Sequence, residues 1–134
     1  MRYMLMMHVP KAGWKTAGIG TWPPEDIKAH IAFMHRFNKE LRDAGALVGA
    51  EGLAGPEEAK IVRAQKGSGA PVVTDGPFAE AKEFLAGYWI VDCDSAQGAY
   101  EIAARASAAP GLGGEPLNMP IEVREVMGAA PMDL

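Results

Sequence analysis

The sequence predicts an α+β fold: a ferredoxin-like split βαβ sandwich with an extra hairpin in its middle. Three observations carry that reading. Segments with strand and helix periodicity follow the order strand, helix, two or three short strands, strand, helix, strand. The 134 residues, 49% of them apolar, suffice for one domain with its own core. The opening strand is apolar on both faces, so both sides of the sheet need a cover. Helices supply one. A second copy, packed sheet to sheet about a two-fold axis, supplies the other.

The first strand is placed at about Arg2–Val9, with Tyr3, Leu5, Met7 and Val9 on one face and Met4, Met6 and His8 on the other. The apolar opening MRYMLMMHV is far too short to span a bilayer and lacks the flanks of a secretion signal. It is therefore read as a buried strand, and the cytoplasm is the expected compartment. The stretch PKAGWKTAGIGTWPPED reads as a Gly- and Pro-containing loop carrying Trp14 and Trp22, unusual cargo for a linker. A helix begins near Pro23–Pro24, with Glu25 and Asp26 at the positive end of its dipole. Ile27, Ile31, Met34, Phe37, Leu41 and Ala44 are assigned to its apolar stripe, and Gly45 ends it.

ALVGAEGL is a strand whose glycines suggest a bulge or a close backbone approach. KIVRAQ and VVT flank the KGSGAP turn as two short strands. GYWIVDC is a longer strand in which Tyr88, Ile90 and Asp92 alternate with Trp89, Val91 and Cys93. Ser95 suits the N-cap of a second helix over roughly Ala96–Ala106, whose Ala99, Ile102, Ala103 and Ala106 form a small-residue face for close packing on a sheet. IEVREVM closes the sheet.

Net charge is −4 with a pI near 5.3, and no basic stripe interleaves with aromatics, which argues against nucleic acid as the partner. A single cysteine, Cys93, rules out an intrachain disulfide framework and fits a reducing compartment. It is read as a small buried hydrophobe rather than a nucleophile. His30 and His35 are five apart on the helix, roughly 140° around it, so they do not share a metal as i,i+4 ligands do. With no Cys/His cluster, neither a metal nor an organic cofactor is expected. The GLGG loop lacks the helix that a phosphate-binding fingerprint requires.

Several side chains remain as candidates for chemistry. Asp75 stands in an Asp-Gly-Pro turn. Its carboxylate serves either an Asx-turn, with Gly76 free to take positive φ, or a pocket rim as a proton acceptor. Glu80, Lys82 and Glu83 follow it, between two strands expected to be buried. They form either a solvated run or a set that tunes each other's ionisation. His8 ends the first strand, where pockets often open. Arg63 and Arg124 lie in strands and either pair with local glutamates or hold an anion by bidentate hydrogen bonds.

The block VTDGPFAEAKEFLAGYWIVD resembles the signature of the DGPF-domain proteins, a branch of the YCII-related group. RYMLMMHV, FMHRFNKELRDAGALVGAEGL and EVREV are similar to that family's first strand, its helix with the second strand, and its closing strand. The resemblance implies a dimeric ferredoxin-like α+β barrel and no assigned reaction. It also carries a hint of signalling, since some relatives are encoded beside sigma factors. In the wider group a histidine on the first helix and an aspartate in an Asp-Pro motif after the second helix are proposed as a catalytic pair. Here Ala108–Gly111 holds no aspartate, and the matching helix position falls near Met34, beside His35. The pair is therefore not carried over, and Asp75 is the family carboxylate that this chain keeps.

The resulting expectation is a cytoplasmic homodimer binding a small polar or anionic molecule, without nucleic acid or membrane partners. Asp75 and His8 are the candidates for proton transfer. Glu80, Lys82, Glu83, Tyr88, Arg63 and Arg124 are the candidate ligand contacts. The alternative is a non-catalytic sensor or an interaction module, which should show an exposed apolar patch around Trp14 and Trp22.

Overall fold

The structure, a computed structural model, describes residues 1–67 and 69–128. Strand β1 (Arg2–Pro10) lies inside a four-stranded antiparallel sheet between β5 (Glu83–Asp92) and β6 (Ile121–Glu125). Beyond β5 lies β2 (Leu47–Gly52). The spatial order β2-β5-β1-β6 arises because the crossover from β1 to β2 leaves room for β5 between them. It is compatible with the expected ferredoxin-like arrangement. The sheet is open, with β2 and β6 as edges, so one chain does not close a barrel. Strands β3 (Lys60–Arg63) and β4 (Val72–Asp75) pair only with each other, as a separate ribbon.

The helices are α1 (Trp14–Ala17), α2 (Pro24–Asp43) and α3 (Ala96–Ser107). Each boundary of the two long ones has a local cause. Pro24 occupies the first turn of α2, where its missing N–H is no loss, and Glu25 and Asp26 meet the positive helix end. Gly45, at φ 74°, turns the chain out after α2. At α3, the Ser95 hydroxyl accepts the Gly98 amide at 3.3 Å.

Alternation along the strands sends Tyr3, Leu5, Trp89 and Val91 toward α2 and α3, where they meet Phe37, Leu41, Ala99, Ala103 and Ala106. Leu5, Phe37 and Val91 are fully buried. The centre of this core is aromatic: Phe37 stacks on Phe33 and meets Trp89 edge to face at 5.8 Å between centroids. The Arg105 guanidinium lies 5.0 Å from the outer face of the Phe37 ring and is held there by Glu40.

Three expectations need correction. The α2 stripe runs through Ile27, His30, Phe33, Met34, Phe37 and Leu41, and the 27-30-34-37-41 spacing fixes its centre. Ile31 falls at its margin, 47% exposed, and Ala44 lies outside it. The Trp14–Trp22 stretch is not an irregular loop, since it holds α1 and a 3-10 turn at Ile19–Thr21. Strand β4 is exposed along its whole length, because a lone two-stranded ribbon has no neighbouring layer to bury against. Among the described residues, no helix is long and apolar enough to cross a membrane.

Burial pushes the Tyr3 phenol above its ordinary value of 10.0, and the nearby Glu125 carboxylate adds to the shift. The stability this contributes is complete below the unfolded phenol's value and is lost as pH rises through the higher folded value. Ultraviolet titration should therefore find one phenol ionising late, together with alkaline unfolding. In Tyr3→Phe the late phenol should vanish.

Candidate functional site

Two clefts open on the helix-covered side of the sheet, of about 250 and 290 Å³. They share Met7 and His30, and so meet between β1 and α2. The smaller is bounded by Met34 and Asn38 of α2, by Ala50 and Gly52 of β2, and by Gly87 and Trp89 of β5. Glu51 and Tyr88 border it from strand positions that pair with each other and with Met6, so their side chains belong to the opposite face. The larger is walled by Trp14, Ile19, Trp22, Phe84, Leu117 and Met119.

Local packing explains how these walls form. Trp14 meets Phe84 edge to face at 5.0 Å, and Trp22 meets His30 in the same way at 5.8 Å. Gly18 is needed beside Trp14, because a Cβ there would lie 2.8 Å from the indole ring. Gly87 is needed where β2 and β5 approach, since its Cβ would lie 2.9 Å from the Glu51 carbonyl. The segment after α3 forms the far wall. The Leu117 amide donates to Ala109 O at 2.9 Å, Ser107 Oγ donates to Met119 O at 2.6 Å, and the Gly113 amide donates to Asp26 Oδ2 at 3.0 Å. The GLGG loop is thus a tie between α2 and the segment after α3, while Leu117 and Met119 of that segment form the wall.

The polar side chains in these clefts are few. Asn38 Oδ1 accepts the Trp89 indole N–H at 2.8 Å, which orients its amide. His30 Nδ1 lies 3.0 Å from Pro110 O. A carbonyl only accepts, so Nδ1 carries the proton in this bond, and the uncharged ring presents its lone pair at Nε2. Among the described residues Nε2 has no hydrogen-bond partner. His30 is therefore a fixed-tautomer imidazole at the junction of two clefts.

The residues singled out from sequence fall in three groups; Tyr88 borders the smaller of the paired clefts, and His8 and Glu83 together line a separate open cleft beside Glu122. Asp75 and Arg63 are on the β3–β4 ribbon. Asp75 is 90% exposed and bonded at 2.6 Å to Lys60, whose ammonium holds its carboxyl below the ordinary range. Its oxygens make no Asx-turn, and the adjacent amide of Gly76 bonds to Ala59 O instead. Gly76 does not take positive φ, and a Cβ there would crowd Ala59 at 3.3 Å. Glu80, Lys82 and Glu83 are exposed on the link into β5, and the Lys82 carbonyl accepts the Lys11 amide at 2.9 Å. His8, Tyr88 and Arg124 lie on the sheet face away from the helices, where His8 Nε2 is 2.9 Å from Glu122 Oε1. Arg63 and Arg124 enter no ion pair among the described residues.

His30 was the residue passed over. Its place beside the apolar stripe was legible, but the partner that fixes its ring is a backbone carbonyl 80 residues away, which no motif announces. Trp14 and Trp22 are half-buried cleft walls, not the exposed patch of an interaction module. Among the described residues no three His, Cys, Asp or Glu side chains come together as metal ligands.

The sequence profile of the YCII-related domain matches residues 1–114, which include β1 through α3 and therefore both sides of the His30–Pro110 contact. An uncharacterised protein from Rhizobium meliloti (strain 1021) is 31% identical over 82 residues, 61% of this chain. The aligned part spans 64% of that relative's length.

Proposed function

The chain belongs to the YCII-related family, and we propose that it binds a small molecule in the paired clefts, with His30 as the group that accepts or returns a proton. The observation that carries this reading is the His30–Pro110 bond. It holds the ring in one tautomer, leaves Nε2 for a ligand, and shares the charge of an imidazolium with a carbonyl dipole. The wider group's pair places an aspartate in the segment after the second helix. That pair is not carried over; what supports a role for His30 is the hold that Pro110 O, in the segment after α3, has on its ring. Asp75 is too exposed and too firmly paired to Lys60 to be the base. We place the chain in the DGPF branch on its TDGPF block, and in the cytoplasm on its single cysteine.

The reading includes a homodimer. Among the described residues no helix lies over the face bearing Met4, Met6, Leu85 and Ile90, and a second copy covers it most simply, completing a barrel from two open sheets. His8, Glu122 and Arg124 would then lie in or beside the interface. A second reading, a docking module, draws support from the ribbon. Val62 and Val73 pair on one of its faces at 62% and 57% exposure, and Phe78 follows at 63%.

A thermal-shift screen of metabolites tests the leading reading. A ligand at a hundredfold excess over Kd adds about 3 kcal/mol of stability, on the order of 10 °C for a domain of this size. That shift should shrink in His30→Phe, which removes the acceptor, and persist in Lys82→Ala. Shifts that follow Lys82 instead would move the site to the link before β5.

A further inference from the structure

We infer that the clefts select an uncharged, mainly apolar ring molecule carrying one hydrogen-bond donor, not the anion that the charged residues of the sequence suggest. This rests on the reading of the clefts as a binding site and specifies what they take. The larger cleft is walled by two indoles, a phenyl ring, two methionines and aliphatic side chains, and among the described residues no Asp, Glu, Lys or Arg lines it. A carboxylate or phosphate entering it would leave water without a cation to replace the lost hydration, unless His30 itself were charged. Every strand arginine and Lys82 is elsewhere, on the ribbon, on the link into β5 or on the opposite sheet face, so none can compensate.

His30 sets the acceptor at the junction of the clefts, since among the described residues its Nε2 has no hydrogen-bond partner. Its Nδ1–H is spent on Pro110, so uncharged His30 offers an acceptor at Nε2 and nothing to donate. The complementary ligand group is therefore an O–H or N–H. The walls ask for a flat body: the edge-to-face pairs Trp14–Phe84 and Trp22–His30 set ring planes on two sides of the same cleft. A volume of about 290 Å³ is at the small end for ligand pockets and suits one or two fused rings. Binding with the donor at His30 directs the rest of the molecule either among the indoles or toward Asn38 in the smaller cleft.

Three probes of one shape separate the possibilities: naphthol, methoxynaphthalene and naphthoate, titrated at neutral pH with His30 and the tryptophan indoles followed by NMR. Naphthol should bind about tenfold more tightly than methoxynaphthalene, the worth of one hydrogen bond, and at least tenfold more tightly than naphthoate. The Trp14, Trp22 and His30 signals should move. His30→Phe should erase the preference for naphthol over its methyl ether, and His30→Gln, which keeps an acceptor, should retain part of it. Retention of the indole shift dispersion shows that either variant is folded. If naphthoate binds best and loses affinity in His30→Phe, the ligand class is wrong but His30 remains the site. If naphthol and its ether bind alike in every variant, His30 has no role and the proposed function falls as well. If no probe moves those signals, both are overturned.

Discussion

Phe37→Ala is expected to destabilise the protein by about 3–5 kcal/mol, the range for deleting a buried aromatic ring. Phe37 sits at 2% exposure between the α2 and β5 layers, and three groups rest on its ring. Phe33 stacks on it, Trp89 meets it edge to face, and Arg105 lies over it. Truncation removes the transfer energy of the ring and leaves a void that Trp89 cannot fill without breaking its bond to Asn38. The loss should show as a lower urea midpoint with an unchanged slope. Because Asn38 and Trp89 also border the smaller cleft, binding there should weaken with stability. Phe37→Leu should cost roughly a third as much, since it keeps most of the apolar volume. A Phe37→Ala midpoint within error of wild type would mean that the core is not centred on α2 and β5.

Such a core was legible in the sequence wherever a period was unambiguous. Trp89 and Val91 alternate with Tyr88 and Ile90, and the alternation alone assigns the inner and outer faces of β5. The alanine face of α3 and the Ser95 cap were equally direct. The α2 stripe was harder, because Ile31 is apolar and near enough in angle to pass for core. Only the positions of the layers above and below decide that His30 and Asn38, rather than Ile31, turn inward. Pattern marks an apolar surface, and packing decides which polar neighbours are drawn in with it.

The candidate site was less legible, and the reason is physical. Charged side chains close together in sequence attract attention, yet charges are mostly solvated, and Glu80, Lys82 and Glu83 are. Asp75 illustrates the same point: its carboxylate makes no turn bond, and Lys60 across the ribbon satisfies it. The group with unspent capacity is a histidine whose partner is a main-chain carbonyl. Its cleft is assembled from α1, α2, β1, β5 and the segment after α3. Nothing in a linear pattern links Trp14, His30, Phe84 and Leu117, which meet only through the fold.

Met6→Lys should convert the proposed homodimer to monomer while leaving the fold intact. Met6 pairs with Tyr88 on one side and Glu122 on the other, on the sheet face opposite the core. Among the described residues no helix covers that face, so a lysine there reaches water in the monomer, and thermal stability measured on dilute protein should change little. In a sheet-to-sheet dimer the two-fold axis gives both copies the same surface, so one substitution sets two ammonium groups into the interface, each with Glu122 of its own chain beside it. Desolvating these charges on dimerisation costs about 3–5 kcal/mol even with a carboxylate near by, some two to four powers of ten in the dissociation constant. Light scattering at micromolar concentration should therefore report a dimer for wild type and for Met6→Leu, and a monomer for Met6→Lys. A substitution on the ribbon, Val73→Lys, separates the alternatives: it should leave the dimer intact if the sheet face is the interface and break it if the ribbon is. Wild-type protein running as a monomer would leave the Met4–Met6–Ile90 face without a second copy to cover it, and the two-chain barrel would be wrong.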